Sequence, residues 1–118
     1  MSYDIHLEHP VTKEVLHADT KHELRGGTYV IGGTTELSLN VTYNYGEILY
    51  RVMGKGGIRN LYGKTGAEAV SILKNAIDQL GDDTDPDYWK ATEGNVKSAL
   101  YKLLAIARIR PDGVFNGD

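Results

Sequence analysis

Leu37-Ser38-Leu39-Asn40-Val41-Thr42-Tyr43-Asn44-Tyr45-Gly46-Glu47 is the stretch where the chain changes period. Leu37, Leu39, Val41 and Tyr43 alternate with Ser38, Asn40 and Thr42, the pattern of a strand with one buried and one wet face. After that the spacing turns helical. Asn44 to Glu47 has the cap-and-acid spacing of a helix start, apolar residues continue to Met53, and Gly54 supplies a stop. A short helix is the first reading of residues 45–53, and a fifth strand is the competing one.

Toward the N-terminus the period stays at two. Thr28-Tyr29-Val30-Ile31 is β-branched and aromatic, and Gly32-Gly33 reads as a two-residue turn joining it to the Leu37 strand. Tyr3, Ile5 and Leu7 alternate with Asp4, His6 and Glu8, and a break over Pro10 to Lys13 precedes Val15-Leu16, which predicts a hairpin. Toward the C-terminus, Thr65-Gly66-Ala67-Glu68 is a capping box, and Ala69, Val70, Leu73, Ala76, Ile77 and Leu80 form one apolar stripe that stops at Gly81. An acidic loop, Asp82 to Asp87, leads to Tyr88-Trp89, a packing anchor. Thr92 caps a last helix whose broad apolar face is Val96, Ala99, Leu100, Leu103, Leu104, Ile106 and Ala107, ended by Pro111-Asp112-Gly113.

Strands first and helices afterward predict an α+β fold. The expectation is one domain, residues 1–118, with an N-terminal antiparallel sheet of about four strands and two to three C-terminal helices packed on one face. A chain of 118 residues, 41% hydrophobic and 25% charged, is ordinarily globular in composition. Its net charge of -3 speaks against nucleic acid as a partner. No cysteine is present, which excludes disulfides, thiolate nucleophiles and cysteine-ligated zinc. The opening residues lack a secretory pattern and no run is long enough to span a bilayer, so no membrane partner is expected and a cytoplasmic location is.

The chemistry nearest to a named motif lies between Arg51 and Gly66. Gly57 to Thr65 resembles a phosphate loop, but five residues separate Gly57 from Gly63-Lys64-Thr65, where the nucleotide-binding motif has four. The preceding segment is poor strand material, so a nucleotide hydrolase is not expected. A smaller claim survives: Gly63, Lys64, Thr65 and Gly66 place amides and a cation at a helix N-terminus, where the macrodipole favours an anion. Arg51, Lys55, Arg59 and Lys64 carry charge here with no acid among them, and Arg25 precedes another glycine pair. The blander account is that Thr65 and Glu68 close the helix end while the cations solvate a loop. Tyr43, Tyr45, Tyr50 and Tyr62 lie near the basic segment and are stacking candidates, although half-buried tyrosines are an ordinary core edge.

Other constellations are weaker. His6, His9, His17 and His22 all fall in the first 22 residues, but no carboxylate or cysteine set completes a metal site. Asp83, Asp85 and Asp87 have calcium-loop spacing, yet Pro86 interrupts them, Tyr88 replaces the needed glycine, and Gly94 cannot ligate. No serine elbow or carboxylate pair indicates catalysis, so neither metal nor cofactor is implied.

His22-x-x-Arg25-Gly26-Gly27-Thr28-Tyr29, Gly32-Gly33-Thr34-Thr35-Glu36, Leu39 to Tyr45, Gly57-Ile58-Arg59, Leu61 to Gly66, Thr92-Glu93-Gly94-Asn95 and Pro111-Asp112-Gly113 together resemble a family of small uncharacterised proteins of tailed phages and prophages. The resemblance spans nearly the whole chain. It implies a phage accessory protein acting inside a host bacterial cell, by binding and not by catalysis. The leading expectation is a small anionic or nucleotide-like ligand held by Arg25, Arg51, Arg59 and Lys64, with Tyr43, Tyr45 and Tyr62 stacking and Gly63, Thr65 and Gly66 lending amides. The alternative is inhibition of a host protein through a surface patch that includes the acidic loop, Trp89 and the tail Val114 to Asp118. An enzyme acting through His22 and Glu36 is a distant third. The apolar face of the last helix would also allow a homodimer.

Overall fold

The computed structural model describes residues 1–118. Ten segments follow one another, five of them strands: β1 (Ser2–Glu8), β2 (His17–His22), β3 (Thr34–Glu36), β4 (Ser38–Thr42) and β5 (Val114–Gly117). The helices are α1 (Gly46–Met53), α2 (Gly66–Asp78) and α3 (Glu93–Ile109), with 3-10 turns at Tyr43–Tyr45 and Gly57–Leu61. The class is α+β, and the sheet arrangement differs from the one expected. Instead of four strands in one sheet there is a three-stranded antiparallel sheet, ordered β4-β1-β5, and a two-stranded one, β2-β3.

Two pairings explain the difference. β1 pairs with β4, Tyr3 opposite Val41 and Ile5 opposite Leu39. Its other edge takes β5, Leu7 opposite Phe115. The C-terminal strand was expected to be a tail on the surface; instead Phe115 is fully buried in the core. Thr28 to Ile31, read as a strand, forms none: the short β3 pairs with β2 and not with that run. Gly32 and Gly33 do turn the chain, with φ of +86° and +87°, a region glycine enters freely. Gly32 lies in open space and Gly33 against the His22 carbonyl, and the residues before them join no ladder.

The helices cover one face of the three-stranded sheet, as expected. Tyr3, Ile5 and Leu7 from β1, Leu39 and Val41 from β4, and Phe115 from β5 meet Leu49, Leu73, Ile77, Leu100, Leu103 and Ile106 in one core. Residues 46–53 are helical, as the first reading had it. Their entry is different, because Thr42 and not Asn44 caps the preceding turn by accepting the Asn44 amide. Thr65 and Glu68 form the capping box of α2 in both directions, and Thr92 caps α3. Among the buried side chains Glu8 carries a charge; it accepts from Asn116 Nδ2 at 3.0 Å and lies 3.3 Å from His6 Nε2. That partnership is what makes its burial affordable.

Both edges of the three-stranded sheet are closed. Beyond β5, the Gly63 amide donates to the Phe115 carbonyl at 2.8 Å and the Phe115 amide donates to the Lys64 carbonyl at 2.9 Å. Beyond β4, Tyr88 does the work with its hydroxyl. It accepts the Thr42 amide at 3.1 Å and donates to the Asn40 carbonyl at 3.2 Å.

Candidate functional site

The glycine-rich basic segment is built into the scaffold. Its amides at the start of α2 are all paired within the protein: Gly66 donates to Gly113 at 2.8 Å, Ala67 to Pro111 at 3.0 Å, Thr65 to Glu68 Oε1 at 2.9 Å and Glu68 to Thr65 Oγ1 at 3.1 Å. Gly63 and Lys64 close the sheet edge through their backbone. Gly66 sits so near the end of α3 that a Cβ there would meet the carbonyls of Ala107 and Arg110. Gly66 therefore serves close packing and Gly63 a turn at φ +86°, and the amides that a phosphate would need are taken by protein oxygens.

The four cations do not converge. Arg51 leaves α1 toward α3 and pairs with Glu93 at 3.0 Å, both partly exposed. Glu93 also accepts the Gly81 amide at 2.8 Å; that bond, then Arg51, holds its carboxyl below the usual range. Arg25 lies over the Tyr29 ring at 4.1 Å. Arg59 lies 5.0 Å from the Tyr3 ring and 6.0 Å from the Tyr43 ring, and its Nε donates to the Asp118 carbonyl at 2.9 Å. Lys64 is exposed and makes no ion pair.

Of the tyrosines, Tyr45 is completely buried and its hydroxyl donates to the Tyr88 carbonyl; burial pushes its pKa up. Tyr62 is half-buried beside Asp118, and burial with that carboxylate pushes its hydroxyl up to about 12. Tyr43 is partly exposed and meets Tyr3 edge-on at 4.6 Å. Tyr43, Arg59 and Tyr62 thus form one group with Tyr3, and Arg25, Tyr45 and Arg51 stand elsewhere. The histidines are engaged separately. His9 Nδ1 accepts two amides of its own turn, His17 meets Thr35 Oγ1 at 2.7 Å, and His22 Nε2 meets the Glu36 carbonyl at 2.6 Å.

The feature that the sequence does not announce is the arm, residues 17–36. β2 and β3 form its base, pairing only at His17 with Glu36 and His22 with Thr34. Between them the chain runs out to Tyr29, Val30 and Ile31, which are 52%, 58% and 90% exposed. The base is held from several sides. His22 Nδ1 accepts the Leu24 amide at 3.3 Å, and Lys102 of α3 donates to the Arg25 carbonyl at 2.7 Å. Gly26 rests on the Asn40 carbonyl so closely that no Cβ fits, and a Cβ on Gly27 would strike the Trp89 ring. An anchored loop therefore holds three consecutive apolar side chains away from the core.

No family model, curated protein or solved structure matches the chain. No helix is long and apolar enough to cross a membrane.

Proposed function

We propose that the chain is a non-enzymatic binding protein that engages another protein through the arm, in the setting the family resemblance implies, a phage accessory protein blocking a host factor. The observation that carries this reading is the exposed run Tyr29-Val30-Ile31. Single apolar residues on a surface are ordinary, but three in succession at the end of a fastened loop, none of them in the core, favour aggregation unless something covers them. Aromatic and branched side chains held in place lose little entropy on docking, so they make effective anchors in a partner's pocket. Trp89, 47% exposed and packed against the arm at Gly27, extends the same surface.

Affinity capture from a bacterial lysate, with the Val30→Asp/Ile31→Asp double variant as the control, tests it. A partner retained by the native chain and lost by the variant, at unchanged melting temperature, supports the reading. The same partner retained by both contradicts it.

A second reading keeps the small anionic or nucleotide-like ligand and confines it to Tyr43, Arg59, Tyr62 and Lys64. What favours it is the guanidinium of Arg59 poised over two tyrosine rings, a surface on which a base can stack. Asp118 weighs against it, since its carboxylate, which accepts the Asp4 amide at 2.9 Å, belongs to the residue whose carbonyl takes Arg59 Nε. Thermal shift with a nucleotide panel separates the two readings: stabilisation that Arg59→Ala removes belongs to the second alone.

A further inference from the structure

Beside the arm, between it, the Asp82 to Thr84 stretch and one side of α3, lies a groove of about 480 Å³. Leu24, Tyr101 and Ala105 supply its apolar surface, and Lys97 and Lys102 supply ammonium groups. Leu24 also lines the cavity under the arm together with Tyr29 and Val30, so apolar surface continues from the tip to the groove.

The two lysines differ in how their charge is met. Lys97 Nζ pairs with Asp82 Oδ1 at 2.8 Å and also donates to the Leu80 carbonyl at 3.3 Å. Lys102 has no carboxylate within ion-pair distance. Its Nζ donates to the Arg25 carbonyl, which satisfies one of its three N–H groups and leaves the charge uncompensated. The charged neighbour it does have is Arg25, and burial, then that second cation, push its pKa below the ordinary lysine range. Arg25 in turn meets Glu23 only at 4.0 Å with both side chains half exposed, a contact of little strength. An opposite charge arriving at Lys102 would compensate it.

We propose that this groove receives an acidic peptide segment of the protein engaged by the arm, a carboxylate docking at Lys102 and an aliphatic or aromatic side chain lying on Leu24, Tyr101 and Ala105. The inference rests on the arm's role and adds the chemistry of its partner. A carboxylate suits the place better than a phosphate, because Asp82 stands in the groove wall and repels a doubly charged group more strongly. A peptide suits it better than a free acid, since one carboxylate among exposed lysines binds weakly unless neighbouring apolar contact adds to it.

The test is an NMR titration of the full chain with the peptide Ac-Leu-Asp-Phe-Asp-Leu-NH2 and its uncharged isostere Ac-Leu-Asn-Phe-Asn-Leu-NH2. The acidic peptide should shift the amides of Leu24, Tyr101 and Lys102, and the isostere should bind at least tenfold more weakly. Lys102→Met, which keeps the aliphatic stem, should show the same loss, and Lys102→Arg should restore binding. Equal affinity for the two peptides, shifts mapping away from the groove, or a Lys102→Met variant that binds as the native chain does would each overturn the proposal. Failure here is distinguishable from failure of the arm: a partner captured through Val30 and Ile31 and indifferent to Lys102→Met leaves the arm standing and removes the groove.

Discussion

Gly63 and Phe115 are joined through the backbone, the amide of the first donating to the carbonyl of the second at 2.8 Å. The segment that resembles a phosphate loop is therefore the cover of a sheet edge, and its glycine lets the chain turn at φ +86° just before α2. An edge closed this way offers no template for pairing with another chain.

Because Phe115 is the wholly buried side chain beneath that edge, Phe115→Ala is expected to cost about 3–5 kcal/mol. Lys64→Ala, whose carbonyl stays in the same pairing and whose exposed side chain is lost, should stay within about 0.5 kcal/mol. Urea unfolding followed by Trp89 fluorescence measures both. Comparable losses for the two variants would mean that Lys64 has a partner the fold does not show.

At the start of α2, Thr65→Ala should remove the cap and cost about 1 kcal/mol. Gly66→Ala is expected to be worse, since its Cβ would lie 2.7 Å from the Ala107 carbonyl and 2.9 Å from that of Arg110, and overpacking against backbone costs about 1–3 kcal/mol. A calorimetric ranking of Thr65→Ala as the more damaging variant would contradict the packing described for α2 and α3.

Tyr88→Phe should destabilise by about 1–3 kcal/mol, because it leaves the Thr42 amide and the Asn40 carbonyl without their shared partner. The accompanying change is local: hydrogen exchange should accelerate at Thr42 and leave α2 protected. Uniform acceleration would show that the hydroxyl does not close the β4 edge.

The acid limb of stability reports on Arg110 and Asp112. The guanidinium donates to both carboxylate oxygens, at 2.9 and 2.7 Å, and lowers the Asp112 pKa from 3.8 to about 2. A folded pKa below the unfolded one means that the contribution is present above about pH 4 and is lost as pH falls toward 2. Both groups are exposed, so added salt should shrink it. Asp112→Asn is expected to flatten the pH dependence of the melting temperature in that window; an unchanged acid limb would rule the pair out as its source.

How much of this was legible depends on distance along the chain. The capping box at Thr65, the apolar stripes of α2 and α3 and the change of period after Thr42 are local signals, and each marks an element that forms. β5 is four residues long and pairs with β1 from the far end of the sequence, so no window around Val114 contains the reason it is a strand. Thr28 to Ile31 fails in the opposite sense: its residues favour strands, but strand preference needs a neighbour to pack on, and Gly26 and Gly27 instead dock the chain on β4 and Trp89. The basic segment misled for a related reason. Arg51 and Arg59 fall in one short basic segment, yet α1 directs the first to Glu93 and the following turn sets the second over Tyr3.

The measurement that bears most directly on the arm is photo-crosslinking in bacterial cells with p-benzoylphenylalanine placed at position 31, and in a second chain at position 64. A discrete protein adduct from position 31 and none from position 64 is the predicted result. An adduct confined to position 64, with position 31 silent at equal expression, would contradict the claim that Tyr29, Val30 and Ile31 meet a partner.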